Sequence, residues 1–331
     1  MKCKRCSVPA VVALPNHSTG FCAECFLLFF RRQIETGIRR RKLFTFEDRI
    51  LVALSGGKDS LSLMLELHEL GYDVTGLHID LHIPGSSGPA RGKVENFCAA
   101  HGLRLEVVEL EREGLPMDLV KRHVTRPVCS VCGKVKRHYF NRFALKNGFT
   151  VLATGHNLDD EVARLFANTL RWDTAYLSDQ GPELPAADGF VRKVKPLWRL
   201  TEFETANYAF LKGIEIHSAA CPYSSGATFT SHKKLLSELE HTSPGSKFNF
   251  YERFLANGRE VFAAHERTAG AEVTPCVSCG SPTSTDLCGV CRIREMLIEK
   301  SAEEAARDAD RESGRDAASD TRYDATRGGN G

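Results

Sequence analysis

Residues 51–60 read Leu-Val-Ala-Leu-Ser-Gly-Gly-Lys-Asp-Ser, and they join a buried strand to a helix. The apolar run from Ile50 to Leu54 is typical of a strand that is covered on both faces of a parallel sheet. Two glycines after it allow a tight turn and a close approach of the backbone to a ligand. The free N–H groups and the positive dipole end of the next helix favour a phosphate at this turn.

The spacing of this turn differs from the Walker A motif, which places four residues between its first glycine and its Gly-Lys pair. The turn resembles instead the pyrophosphate loop of the PP-loop ATPases, through Ser55, Gly56, Gly57, Lys58, Asp59 and Ser60. Those enzymes cleave ATP between its α- and β-phosphates and adenylate a substrate oxygen. The alternative is an ordinary glycine-rich turn, and the accompanying Ser, Lys, Asp and Ser argue against it.

Further strands and helices alternate after this loop. The apolar patterns predict five strands, at residues 50–54, 74–79, 103–110, 150–154 and 214–217. This alternation predicts an α/β fold, a doubly wound parallel sheet of the PP-loop, adenine nucleotide α-hydrolase type, with ligands at the carboxyl ends of the strands.

Composition limits the classes of protein to which the chain can belong. Its 331 residues are 42% hydrophobic and 26% charged, which is typical of one substantial core with small modules. The net charge is only +2, so a nucleic-acid surface has to come from local clustering of Lys and Arg. No apolar run reaches the roughly 18 residues of a membrane span, and no signal-peptide pattern is present. We therefore predict a cytoplasmic protein without a membrane partner.

Twelve cysteines, mostly in Cys-x-x-Cys pairs, indicate metal binding in a reducing compartment. Two pairs near the start and two near the end have the spacing of zinc knuckles. Four thiolates suit tetrahedral Zn²⁺ and leave no open position, so both zinc sites are predicted to be structural. The predicted ligands are Cys3, Cys6, Cys22 and Cys25 in the first site, and Cys276, Cys279, Cys288 and Cys291 in the second. We call these two groups the four-cysteine sets.

These patterns divide the chain into four predicted parts. Residues 1–45 form an N-terminal zinc finger with a basic helix, and residues 46–260 form the PP-loop ATPase catalytic domain. Residues 270–299 form the second zinc finger, and residues 300–331, which are almost devoid of apolar side chains, form a disordered tail. The basic helix either follows an RNA backbone or presents a solvated face.

The fourth strand runs into Gly155-His156-Asn157-Leu158-Asp159-Asp160-Glu161. Acidic residues at a helix start interact favourably with its dipole, so a structural cap is one reading of Asp160. At the carboxyl edge of the sheet a carboxylate can also hold Mg²⁺ against ATP, and we favour this metal or nucleotide role.

Three cysteines remain after the zinc sites and Cys98, which lies in a small apolar helical segment and is predicted to be buried and inert. They are Cys129, Cys132 and Cys221, called the cysteine trio below. Three thiolates can hold an iron–sulfur cluster and leave one iron open. Alternatives are a third zinc site with His217, a persulfide route, or three inert thiols, although the trio is expected in Pro- and Gly-bearing loops.

The full series of motifs resembles the TtuA-type tRNA 2-thiouridine synthetases within the TtcA/TtuA superfamily. In order along the chain they are the first zinc knuckle, the Ser-Gly-Gly-Lys-Asp-Ser loop, Arg126-Pro127-x-Cys129-x-x-Cys132-Gly133, the Gly155 motif, Cys221-Pro222-Tyr223-x-x-Gly226-Ala227-Thr228 and the second zinc knuckle. The resemblance covers residues 1–298. Cys25 stands where some relatives use His, and either residue binds zinc.

The resemblance implies an ATP-dependent tRNA thiolase that adenylates the C2 oxygen of a uridine and replaces it with sulfur. It implies the cofactors ATP, Mg²⁺, two Zn²⁺ and a [4Fe–4S] cluster on Cys129, Cys132 and Cys221. Asp59 and Asp160 would lie near Mg²⁺, and the residues implied around the nucleotide are Ala53, Ser55, Gly56, Gly57, Lys58, Asp59, Ser60, His78, Ile79, Gly155 and Asp160. The implied partners are tRNA, a ubiquitin-like sulfur carrier or another sulfide source, and a second copy of the chain.

Two other classes of function stay open on the sequence. One is a different PP-loop adenylating enzyme that modifies tRNA, such as a 2-thiocytidine or lysidine synthetase. The other is a non-catalytic zinc protein that binds RNA, and the intact phosphate loop argues against it.

Overall fold

A six-stranded sheet lies at the centre of the computed structural model, which describes residues 1–216, 221–224, 228–266 and 273–323. The strands of the chain are β1 (Val12–Leu14), β2 (Thr19–Phe21), β3 (Arg49–Leu54), β4 (Asp73–Asp80), β5 (Leu105–Glu109), β6 (Val151–Thr154), β7 (Glu183–Leu184), β8 (Arg192–Val194), β9 (Thr274–Pro275) and β10 (Pro282–Thr283). The central sheet has the order β5-β4-β3-β6-β8-β7, and only β7 is antiparallel to its neighbour. The pairs β1–β2 and β9–β10 form two small antiparallel ribbons.

The helices surround this sheet and connect its strands. They are α1 (Ala23–Arg41), α2 (Lys58–Glu69), α3 (Ser87–Ala100), α4 (Met117–His123), α5 (Val128–Lys146), α6 (Leu158–Arg171), α7 (Thr174–Ser178), α8 (Glu202–Leu211), α9 (Thr228–Thr242), α10 (Ser246–Arg253), α11 (Arg259–Glu266) and α12 (Gly289–Tyr323). A π-helical turn, Phe254–Gly258, joins α10 to α11. No described helix combines the length and apolar character that crossing a membrane requires.

The predicted parallel α/β sheet is confirmed, and its register explains where a ligand can bind. Leu54 at the end of β3 pairs with His78 on β4, and Ala53 pairs with Thr154 on β6. The carboxyl ends of these three strands therefore meet at one edge. Alternate residues of β3 face opposite cores, since Ile50 and Val52 pack in the cluster that includes α1 and α2, whereas Leu51 packs near Ala144 of α5.

The expected fifth strand at residues 214–217 is wrong for its described part, because residues 214–216 have no strand structure and His217 lies outside the described residues. The sheet is completed instead by β7 and β8, where the apolar patterns predicted no strand. β8 contains only Arg-Lys-Val, so its sequence has no apolar run to identify it. Its pairing with the buried strand β6 supplies the stability that its own residues lack.

The N-terminal module packs onto the main core. Phe26, Phe30 and Ile34 of α1 are fully buried, and the ring of Phe30 stacks on Tyr208 of α8 with centroids 4.0 Å apart. Residues of the module and of the sheet belong to one continuous apolar cluster. The module predicted over residues 1–45 is therefore joined to the catalytic part by a shared core.

The tail is where the structure departs most from the expectation of disorder. Helix α12 begins in the second zinc knuckle and continues past residue 300 to Tyr323. Ala, Glu and Arg are abundant in this segment and are strong helix formers, so a helix forms although few apolar side chains are available to pack. The prediction of disorder is wrong for residues 300–323.

Candidate nucleotide and cysteine site

The phosphate loop, residues 55–60, is held by its own side chains. The Ser60 hydroxyl donates to the carbonyl of Gly57 at 3.0 Å and accepts from the backbone N–H of Ser55 at 3.2 Å. Gly56 has a φ of +82°, a conformation that strains residues with a side chain. The loop is therefore preformed, and the first turn of α2 directs its free N–H groups toward the same edge.

Gly155 brings the end of β6 against this loop. A Cβ atom on Gly155 would lie 2.8 Å from the backbone nitrogen of Ser60 and 2.9 Å from the carbonyl carbon of Asp59. Only glycine permits this approach without displacing the start of α2. The close packing places the Gly155 motif beside the phosphate loop, as the resemblance implies.

Asp59 is fixed by three donors from three parts of the chain. Its Oδ1 accepts hydrogen bonds from Asn157 at 3.0 Å and from the Thr205 hydroxyl at 2.6 Å, while its Oδ2 accepts from Lys58 at 3.1 Å. The carboxylate is partly exposed, at 24% of its side chain, so it combines a fixed orientation with access from the cleft. Sequence reasoning missed Thr205, which is separated from Asp59 by 146 positions.

The two carboxylate oxygens of Asp160 make different contacts. Its Oδ2 accepts from the backbone N–H of Asn157 at 3.1 Å and completes a capping box at the start of α6. Its Oδ1 lies 2.6 Å from Nζ of Lys233 on α9. The cap is present, and the second oxygen pairs with Lys233.

Glu202 at the start of α8 connects the two lysines of the site. Lys58 lies 3.0 Å from one oxygen of Glu202, and Lys233 lies 3.2 Å from the other. Burial disfavours the charged form of each lysine, but the neighbouring carboxylates outweigh it and raise the pKa of Lys58 and of Lys233. Burial acts in the same way on Glu202, and the two lysines still lower its pKa. All three groups are therefore charged at neutral pH.

His78 and Ile79 lie where β4 ends beside the loop. His78 is buried, and its Nδ1 donates to the carbonyl of Leu54 at 2.9 Å. Burial lowers the pKa of His78, so the ring is neutral, and its Nε2 is buried without a hydrogen-bond partner among the described residues. Ile79 is also buried, whereas Ala53 is half-buried.

The cysteine trio gathers from two segments of the chain. Cys129 and Cys132 lie in the first turns of α5, which begins directly after Pro127, so the expectation that both lie in a loop is wrong. The Cys129 thiol lies 3.4 Å from the carbonyl oxygen of Tyr223, two residues beyond Cys221. Burial raises the pKa of the Cys132 thiol, Lys136 opposes this, and Cys221 and Cys129 add to it.

Two members of the trio pack near the end of β4. Cys132 and Cys221 pack against an apolar cluster that contains Ile79 and Val135. Ile79 directly follows His78, whose ring is bonded to the last residue before the loop. Cys98 lies elsewhere, in α3, where it is 2% exposed as expected.

Both four-cysteine sets are assembled as predicted. Within each set the four sulfur atoms lie within 4.8 Å of one another, and among the described residues no other group of three or more His, Cys, Asp or Glu is so close. Cys6 and Cys22 are 3.5 Å apart, and Cys279 and Cys288 are 3.8 Å apart. A single ion about 2.3 Å from four sulfurs sets them roughly 3.8 Å apart, so both sets fit zinc knuckles.

The chain matches two family profiles. A profile described as a PP-loop domain matches residues 29–216, and one described as the N-terminal LIM domain of the 2-thiouridine synthetase TtuA matches residues 2–27. These matches confirm the resemblance that the motifs indicated.

Individual relatives agree with the profiles. A tRNA-5-methyluridine(54) 2-sulfurtransferase from Pyrococcus horikoshii is 41% identical over 88% of this chain and 93% of its own length. The protein of that name from Thermus thermophilus is 38% identical over 91% of this chain and 93% of its own length. Among solved structures, the U34-tRNA thiolase NcsA from Methanococcus maripaludis, with its [4Fe–4S] cluster, has a TM-score of 0.69 at 28% identity and covers 78% of this chain and 89% of that one. The chain therefore belongs to the 2-thiouridine synthetase (TtuA) family of PP-loop tRNA sulfurtransferases.

Proposed function

We propose that this protein is an ATP-dependent thiolase that converts a uridine of tRNA to 2-thiouridine. The observation that supports the proposal is the cysteine trio, which belongs to neither four-cysteine set and two members of which pack against the cluster that contains Ile79 of β4. A lysidine-synthetase-type enzyme has no use for such a trio. A non-catalytic RNA-binding protein has no use for an assembled phosphate loop.

The loop and the residues around it bind the triphosphate. The N–H groups of residues 55–60 and the ammonium group of Lys58 neutralise phosphate oxygens. Asp59 and Asp160 are the carboxylates that would hold Mg²⁺, because one is fixed by three donors and the other keeps one oxygen that is not used by the helix cap. Ala53, His78, Ile79 and Gly155 border the adenosine, and the unpaired Nε2 of His78 can accept a hydrogen bond from it.

The trio fits an iron–sulfur cluster better than a third zinc ion. Its three sulfur atoms are not all within 4.8 Å of one another, whereas those of both four-cysteine sets are. When bound, a [4Fe–4S] cluster with three cysteine ligands supplies an iron with an open position that can carry sulfide. The chain's own contribution is to gather the three thiols from two segments and to bury Cys132 and Cys221 partly.

The chemistry of the uridine follows from this arrangement. The C2 oxygen attacks the α-phosphorus, pyrophosphate leaves, and the base becomes an adenylate. Sulfide then replaces this oxygen at C2, and AMP leaves with it. Positioning of the base and neutralisation of the phosphate charge are what the protein provides.

We propose position 54 of tRNA as the target. Relatives named for 5-methyluridine-54 are 38% to 41% identical to this chain and are matched over 93% or more of their length. A wobble uridine is the second candidate, because the solved U34-tRNA thiolase shares the fold. We further propose two zinc ions, a homodimer, a cytoplasmic location, and a ubiquitin-like sulfur carrier or another sulfide source as donor.

The test is thiolation of tRNA from a strain that lacks this protein. Protein purified without oxygen is incubated with that tRNA, ATP and sulfide, and the thiolated nucleoside is mapped by mass spectrometry. Thiolation at position 54 with release of AMP supports the proposal, and thiolation at position 34 supports the second candidate. An absence of both thiolation and AMP would overturn the function.

A further inference from the structure

Two residues outside the family motifs lie at the nucleotide cleft. Glu202 and Lys233 come from α8 and α9, far in sequence from the phosphate loop. They complete a chain of ion pairs that runs from Asp59 through Lys58, Glu202 and Lys233 to Asp160. In each of these four ion pairs the nitrogen–oxygen distance is between 2.6 and 3.2 Å.

The charges of these ion pairs allow the two lysines to exchange a carboxylate for a phosphate. Two ammonium groups face three carboxylates, so without nucleotide the carboxylates satisfy both lysines and one negative charge remains. A triphosphate carries more charge than any single carboxylate and competes for the ammonium groups. The carboxylates that are released then face a magnesium ion, which prefers their oxygens.

Lys233 is held so that its ammonium group faces this cleft. Its Nζ lies 5.6 Å from the ring centroid of the half-buried Phe229, one helical turn earlier on α9. Helix α9 packs along α6, whose first turn contains Asp160. Rotation of the lysine side chain alone can therefore move the charge from Asp160 toward a phosphate.

We propose that Lys233 binds the β- and γ-phosphates of ATP and that Glu202 is a positioning residue that holds Lys58 and Lys233 ready for them. The proposal rests on the proposed function and adds two residues to its nucleotide site.

The test compares Lys233→Gln with Lys234→Gln, in which the neutralised side chain is the exposed neighbour. Binding of magnesium–ATP and of AMP to the full-length protein is measured by calorimetry without tRNA. Lys233→Gln is expected to weaken magnesium–ATP binding about tenfold or more, the effect of a lost charge-assisted hydrogen bond. AMP binding, and both affinities of Lys234→Gln, should stay within about twofold of wild type.

Two further measurements separate phosphate binding from a structural effect. Lys233→Arg, which keeps the charge, should recover most of the lost affinity, and Glu202→Gln should weaken magnesium–ATP without changing AMP. In hydrogen exchange, magnesium–ATP should protect residues 228–242 in wild type and in Lys234→Gln but not in Lys233→Gln. Wild-type affinity in Lys233→Gln, or an equal loss for AMP, would overturn the inference and leave the thiolase proposal intact. A wild-type protein that does not bind magnesium–ATP would overturn both.

Discussion

The four-cysteine sets and the cysteine trio use the same side chain in opposite ways. In each four-cysteine set, thiols from two Cys-x-x-Cys pairs lie within 4.8 Å of one another, and two or three of them are buried. The trio has three members, is more widely spread, and comes from the start of α5 and from a separate segment around Cys221. None of its members is fully buried.

This difference teaches how ligand number and access separate a structural centre from a reactive one. Four close thiols satisfy a metal ion completely and hold a short segment of the chain in its folded form. Three partly exposed thiols leave a coordination position that a fourth would close. We therefore assign a structural role to the two four-cysteine sets and propose the reactive role for the trio.

The largest effect is expected when one member of the cysteine trio is replaced. Cys129→Ala, Cys132→Ala or Cys221→Ala should each lower the rate of tRNA thiolation at least about a thousandfold, by analogy with loss of an essential reactive group. Magnesium–ATP affinity should stay near wild type, because the hydrogen bonds and ion pairs that hold the described phosphate loop involve none of the three thiols.

Cys98→Ala is the matched control for these variants, since it also removes one thiol but from a buried site in α3. It should keep activity and lose about 1 kcal/mol of stability. Thiolated tRNA at the wild-type level in a trio variant would show that the replaced cysteine is not required for thiolation.

Replacing a cysteine of a four-cysteine set should instead affect folding. Cys288→Ala removes a buried ligand of the second four-cysteine set, which packs against α4 and α5. We expect a loss of several kcal/mol of stability and of one zinc ion per chain, because metal binding is coupled to folding. Thermal unfolding and zinc content measure both, and an unchanged Tm with full zinc would contradict the structural assignment.

Asp59→Asn tests whether the loop is as essential as the trio. The amide can keep one acceptor for Thr205 or Asn157 but loses the charge that faces Lys58. AMP formation should fall about a hundredfold, as for loss of one preorganised electrostatic group, with little change in Tm. Retained turnover would show that this carboxylate has no part in adenylation.

Gly155→Ala tests the packing of the Gly155 motif against the phosphate loop. The added methyl group would lie 2.8 Å from the Ser60 nitrogen, so β6 or the start of α2 has to shift. Overpacking of this kind costs about 1–3 kcal/mol. Denaturant unfolding and magnesium–ATP titration should both show a loss, while Gly71→Ala, at a surface turn with no atom within 4 Å, should strain only its local backbone.

The last prediction concerns the dependence of stability on pH. Burial, together with Lys193 and Lys195, lowers the pKa of His156 from 6.5 to about 3. The unfolded chain therefore takes up a proton below about pH 6.5 that the folded protein does not, so stability falls as pH falls from 6.5 toward 3, by roughly 1.4 kcal/mol per pH unit.

His156→Gln should remove this part of the slope while keeping a polar partner for Thr154, which is 2.8 Å from Nδ1. The measurement is the difference between wild type and variant in denaturant unfolding from pH 7.5 to pH 5. Protonation of the zinc-knuckle thiolates affects both proteins and cancels. Parallel profiles would show that His156 is protonated in the folded state.

The sequence by itself determined most of the features that depend on neighbouring residues. The phosphate loop, four of the strands and both four-cysteine sets each lie within a short segment, and their residue types have few other uses in that spacing. The family follows from the same motifs. The helix beyond residue 300 is a local feature too, and it was missed because low apolar content was given more weight than helix propensity.

Only the tertiary structure decided which distant groups meet. Cys129 reaches Tyr223 across 94 positions, and Lys58 reaches Glu202 across 144, and neither contact leaves a local pattern. β8 is likewise a strand because it pairs with β6, and not because its own residues favour strand structure. Such contacts depend on the register of the sheet and on the packing of helices over its edge, which are set by the summed burial of the whole chain rather than by any one segment.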